Sequence, residues 1–165
     1  MPIVGKDIEL VTKDFDPNSI TLDENDVLLR NLYMSVDPYI RGRMRSAEIK
    51  SYVPAFTIGE VMQVGGVSQV IKSKNPEYQE GDIVTGMIGW ENYTVISGGK
   101  DLHKIEGARE SSIPLSYHLG VLGMPGMTAY AGLFKIGEPK EGETIFISAA
   151  SDAVGQVVGQ IAKVN

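Results

Sequence analysis

The sequence predicts a mainly β chain that ends in the opening of a parallel α/β unit. Three observations carry that expectation. Between residues 27 and 96, short runs rich in β-branched and aromatic residues recur, divided by Gly, Pro, Asn and Asp clusters. Glycine contributes 19 of 165 residues, about 12% against a typical ~7%. Many of these glycines interrupt the apolar runs, as they do at bulges and barrel corners. After about residue 114 the pattern changes to helical spacing, then to a short apolar run, a small-residue loop and a second helical run.

Each element has its own signal. Val27 to Val36 reads as a strand, ended by the turn pair Asp37-Pro38. Phe56 to Val70 continues the strand pattern, broken at Gly59 and at Gly65-Gly66. Asn75 to Asp82, NPEYQEGD, is a turn-rich connection into Ile83 to Trp90 and then Glu91 to Ile96. Strands at this spacing suggest a small barrel or sandwich. A helix is expected from near Gly126-Met127-Thr128 to Gly137, with Gly137 as its C-terminal cap. Thr144 to Ser148 reads as a short buried strand, Ala149 to Asp152 as a tight loop, and Ala153 to Lys163 as a helix. A strand this apolar needs a parallel neighbour, and only two residues follow Lys163. The chain is therefore expected to be the front part of a larger protein, stopping just inside a nucleotide-binding domain.

Composition removes several function classes. With 15 Lys+Arg against 21 Asp+Glu the net charge is −6, unsuited to nucleic acid or to an anionic membrane surface. Zero Cys removes disulfides, thiolate nucleophiles and Cys-liganded zinc or iron–sulfur sites. His103 and His118 are the only imidazoles, so no metal site is expected. No run approaches the ~20 apolar residues of a membrane span, and the N-terminus has no signal-peptide pattern. A cytoplasmic location is the default expectation.

The loop Ser148 to Gly155, SAASDAVG, lies where a G-x-G-x-x-G turn would lie, with Ala150, Asp152 and Gly155 at the three glycine places. Gly155 keeps the place that allows helix and strand to pack closely. Asp152 stands where the backbone would approach a pyrophosphate, and brings bulk and negative charge. The same residues also suit an ordinary strand–helix turn, with Ser151 or Asp152 as the helix N-cap.

Four segments read together carry a more specific signal: NLYMSVDPYIRGRM (31–44), GWENYTVI (89–96), LGMPGMTAYAGLFKIGEPKEGETIFISAAS (122–151) and AVGQVVGQIAK (153–163). In this order they resemble the zinc-independent medium-chain dehydrogenases/reductases, within them the branch of prostaglandin reductase (leukotriene B4 12-hydroxydehydrogenase) and the NADP-dependent alkenal double-bond reductases. The resemblance implies a GroES-like β-barrel domain over 1–120, and a linking helix with the start of a Rossmann NADP-binding domain over 121–165. It also implies NADPH-dependent reduction of the C=C bond of α,β-unsaturated aldehydes or ketones; a homodimer is expected, with a small-molecule substrate and no nucleic-acid or membrane partner. Zinc-dependent relatives carry a Cys near the Asp37 region and a His before the Glu of Gly59-Glu60; here there is no Cys, and Ile58 stands at the second place.

By resemblance, Tyr39 is the candidate catalytic residue at the cleft, or else a packed core tyrosine. Arg41 and Arg43 face the substrate or form surface pairs, and Trp90, Glu91 and Tyr93 belong to the site or to the core. Met124 and Thr128 match positions against the nicotinamide, Thr128 being equally placed to cap a helix. Val154 and Gly155 match the pyrophosphate loop. The family turn reads A-A-S-G-A-V-G, from which Asp152 departs at the first glycine. On 165 residues alone, NADPH binding and turnover are expected to be negligible. Two alternatives stand beside the enzyme: a non-catalytic remnant or interaction module pairing through Thr144 to Ser148, and a quinone reductase-like activity.

Overall fold

Three consecutive side chains, Val27, Leu28 and Leu29, are completely buried in the computed structural model, which describes residues 2–164. Successive strand residues point to opposite faces, so both faces of the chain are covered here. These residues open β1 (Val27–Met34), which pairs antiparallel with β4 (Tyr93–Ile96) on one side and β2 (Gln63–Ser73) on the other. β2 pairs with β3 (Ile83–Gly89), and β3 with the two-residue β5 (His103–Lys104). The expected β unit is thus one five-stranded antiparallel sheet in the order β4-β1-β2-β3-β5. Its core is Val27, Leu29, Val70, Tyr78, Val84, Ile88 and Leu102, with Met34 and Ile96 packed against it. The Tyr78 hydroxyl donates to the Leu102 carbonyl at 2.8 Å, so the one polar tip in this cluster is satisfied.

The strand expected over Phe56 to Val70 begins only at Gln63. Residues 56–62 are instead held as loop: the Phe56 N–H donates to the Arg43 carbonyl and the Trp90 N–H to the Met62 carbonyl. The turn-rich Asn75–Asp82 connection is built from side-chain acceptors. Asn75 Oδ1 takes the Glu77 N–H at 2.9 Å, and Asp82 Oδ2 takes the Gln79 N–H at 2.8 Å. Gly86, inside β3, allows the Asp101 carbonyl to approach to 2.7 Å of where a Cβ would stand.

Asp37-Pro38 ends the strand pattern and starts α1 (Pro38–Arg43), with the proline at the helix N-terminus, where its missing N–H costs nothing. Beyond residue 114, a 3-10 turn, Leu115–Leu119, packs against β1 and β2. α2 (Met124–Tyr130) continues as a π-helical turn, Ala131–Gly137. The helix therefore ends where expected, but its cap is different. Glu138, not Gly137, takes the left-handed conformation (φ 45°, ψ 52°) and donates its N–H to the Leu133 carbonyl. The wider π winding carries the left-handed residue one place further.

α3 (Ala153–Val164) forms as expected and packs against α2. The strand before it does not form. Thr144 to Ser148 joins no ladder among the described residues, and Phe146 is 90% exposed. The expected buried strand is corrected to an unpaired segment: a strand needs hydrogen-bonded neighbours, and its β-rich composition cannot supply them. Ile147 still leans on α3, its Cδ1 lying 3.6 Å from where a Cβ would stand at Gly159. No helix among the described residues is long and apolar enough to cross a membrane.

Candidate active site

Tyr39 is the second residue of α1, half-buried, just past the end of β1. Burial raises its phenol above the ordinary tyrosine range, and the carboxylate of Asp37 and the neighbouring Tyr52 act in the same direction; the Gly65 backbone and Arg43 oppose them. The result is a phenol that keeps its proton and can donate it in a hydrogen bond. The Ser35 N–H donates to the Gly65 carbonyl at 2.8 Å, tying the segment before α1 to β2.

The residues after α1 form a loop with few backbone bonds of its own, and two arginines hold it. Arg43 donates from Nε to the Pro54 carbonyl and from Nη1 to the Gln63 carbonyl, both at 3.1 Å. Its guanidinium lies 4.1 Å from the centre of the Phe56 ring. Arg45 reaches three carbonyls: Gly42 at 2.7 Å, Ile49 at 2.8 Å and Val53 at 2.5 Å. Among the described residues Arg43 makes no ion pair; it bridges the loop to β2. Arg41 is exposed. Tyr52, carried by the loop and 86% exposed, stands close enough to Tyr39 to act on its phenol.

Trp90, Glu91 and Tyr93 lie on or beside the β3–β4 turn. Asn31 organises that turn. Its Nδ2 lies within hydrogen-bond distance of the Gly89 carbonyl (3.1 Å), the Glu91 carbonyl (2.8 Å) and Thr94 Oγ1 (2.9 Å). Ser68 Oγ donates to Asn31 Oδ1 at 2.8 Å, and Thr94 Oγ1 donates to Glu91 Oε1 at 3.0 Å. Tyr93 stacks on Phe15 with ring centres 4.9 Å apart. Glu91 and Tyr93 are therefore spoken for structurally, while Trp90 is 38% exposed. Asn31, Arg45 and Tyr52 carry no role in the motif reading. The signal for Asn31 was a polar side chain in the middle of an apolar strand run; the arginines' acceptors are backbone carbonyls, which leave no mark on the sequence.

The residues expected at the cofactor sit on the other helices. Met124, 46% exposed, and Thr128, also exposed, belong to α2; Val154 and Gly155 form the first turn of α3, against which α2 packs. Thr128 caps nothing, because α2 starts four residues earlier, with Gly123 at the N-cap place. A Cβ at Gly155 would collide with the Ala149 carbonyl, so this glycine lets the start of α3 sit directly against the turn. A phosphate bound at this turn would meet the first N–H groups of α3. Those N–H groups are less open, because Asp152 Oδ1 accepts the Gly155 N–H at 2.5 Å. No group of three or more His, Cys, Asp or Glu among the described residues is placed to hold a metal ion.

The family model for the N-terminal domain of oxidoreductase matches residues 4–105. Among relatives, NADP(+)-dependent 2-alkenal reductase of Nicotiana tabacum is 53% identical over 139 residues, covering 84% of this chain and 39% of its own. NADPH-dependent curcumin reductase of Escherichia coli is 49% identical over 157 residues, covering 90% and 44%. The crystal structure of CurA in complex with NADPH from Vibrio vulnificus superposes with a TM-score of 0.77 at 42% identity, covering 93% of this chain and 43% of that one. The chain belongs to the zinc-independent medium-chain reductases, in the branch of the alkenal and prostaglandin reductases. It spans less than half the length of these relatives.

Proposed function

We propose that the protein reduces the C=C bond of α,β-unsaturated aldehydes or ketones with NADPH, and that this chain supplies the hydrogen-bond donor to the substrate carbonyl. The observation that carries the proposal is Tyr39: a half-buried phenol held protonated, on a helix braced by Arg43 and Arg45. NADPH, when bound, supplies the hydride. Addition at the β-carbon moves electron density onto the carbonyl oxygen, and a donor fixed beforehand at that oxygen lowers the barrier. The Tyr39 hydroxyl meets that requirement without a metal. Burial, with the Asp37 carboxylate beside it, keeps the phenol from ionising, and Trp90, on the turn pinned by Asn31, offers an apolar surface beside the loop. Met124, Thr128, Val154 and Gly155 are the residues of this chain that would hold the cofactor. Small-molecule substrates, a homodimeric and cytoplasmic enzyme, and division into a β domain over 1–120 and the start of a cofactor domain over 121–165 belong to the same proposal.

The test is turnover by the intact protein on a 2-alkenal and on a quinone, with Tyr39→Phe beside the wild type. The expected result is preference for the alkenal and a loss of about 10²-fold in kcat for Tyr39→Phe, the usual effect of removing one such donor. Equal kcat in the two proteins would remove Tyr39 from the reaction, and preference for the quinone would replace the enone as substrate class.

A further inference from the structure

We infer that Asp152 is a tethered anion that occupies part of the cofactor's phosphate place and weakens NADPH binding. This rests on the NADPH reading above. In a turn of this type the helix N-terminus offers N–H groups and a positive dipole end to a pyrophosphate. In this chain the Asp152 carbonyl accepts the Gln156 N–H at 3.1 Å, starting α3, and its carboxylate folds back to take the Gly155 N–H at 2.5 Å. Asp152 is thus an N-cap, and its negative charge lies on the first turn of the helix. The residue that makes close approach possible, Gly155, is intact and packed against the Ala149 carbonyl. The first N–H groups of α3 favour an anion at this turn, and the side chain at 152 opposes it.

A pyrophosphate reaching this turn must displace the carboxylate from the Gly155 N–H or approach it at short range. Either route costs affinity, and the second adds repulsion between like charges. The cap stabilises α3 at the expense of the ligand, so stability and affinity should move in opposite directions when Asp152 is replaced by glycine. Asn caps about as well as Asp but carries no charge. Asp152→Asn therefore separates repulsion from capping.

The experiment is NADPH titration of the intact protein, followed by cofactor fluorescence, on the wild type, Asp152→Gly and Asp152→Asn, with thermal unfolding of each without cofactor. The expected result is at least tenfold tighter NADPH binding in Asp152→Gly with a lowered unfolding midpoint. Asp152→Asn should bind several-fold tighter with its midpoint nearly unchanged. Binding by all three with equal affinity, or weaker binding by both variants, overturns the inference while leaving the cofactor reading in place. No binding by any of the three up to millimolar NADPH overturns the cofactor reading and the inference together.

Discussion

At Tyr39 and Asp37, burial and a neighbouring negative charge act together to hold the phenol protonated above its ordinary range. The donor is then available throughout neutral and mildly alkaline pH. kcat/KM should fall on the alkaline side only above pH 10, the ordinary value for this group, and Tyr39→Phe should lack that limb; a wild-type limb near neutrality would assign the proton to another group. Asn31 shows the same economy in a structural role, serving the Gly89 and Glu91 carbonyls, Thr94 and Ser68 at once. Asn31→Ala should destabilise the fold by about 1–3 kcal/mol, because several polar groups lose their partner together; urea titration measures it. At the sheet edge, Lys104 Nζ and Asp82 Oδ2 are 2.7 Å apart. Burial would raise the Asp82 carboxyl, but the Gln79 N–H and Lys104 outweigh it and hold it below its ordinary 3.8. A depressed carboxyl contributes stability above its unfolded value and loses it as pH falls through the folded one. The stability difference between wild type and Lys104→Met should therefore be full at neutral pH and shrink as pH falls below 3.8, through the depressed folded value.

Among the elements, β1, β3 and β4 were legible because their signals are local, whereas the two-residue β5 left none and β2 begins seven residues later than its composition suggests. Val27 to Leu29 is an unbroken apolar run, and its residues are buried although successive side chains point to opposite faces of the sheet. Leu29→Ala should cost about 2–5 kcal/mol in the same urea titration, as deletions in packed cores do. The helices α2 and α3 were legible from spacing and from their small residues. Thr144 to Ser148 was misread because its composition suits a strand, whereas a ladder is a property of two segments. The loop after α1 was illegible for the same reason. Arg45 looks like any surface arginine until the carbonyls of Gly42, Ile49 and Val53 are placed around it. Arg45→Met should loosen that loop. Cleavage after Tyr52 by chymotrypsin should quicken about tenfold, the equivalent of one charge-assisted hydrogen bond of ~1.5 kcal/mol. An unchanged cleavage rate would show that the loop holds its shape without this side chain.

For the whole molecule, two groups of residues have separate supports. Tyr39 and its bracing arginines depend on the sheet; Met124, Thr128, Val154 and Gly155 depend on the α2–α3 pair. The chemistry proposed for them rests on motifs read together, since a phenol and a glycine turn are each common. Asp152 is the exception: its conflict with the family turn was visible in sequence, and its cap is visible in structure. In the proposed conjugate reduction, hydride goes to the β-carbon while Tyr39 donates to the carbonyl oxygen. The most direct measurement supplies the intact protein with NADPH deuterated at the transferable nicotinamide position and a 2-alkenal, and locates the label by NMR. Deuterium on C3 of a saturated aldehyde is the predicted result. Deuterium on C1 of an allylic alcohol, the product of carbonyl reduction, would contradict it.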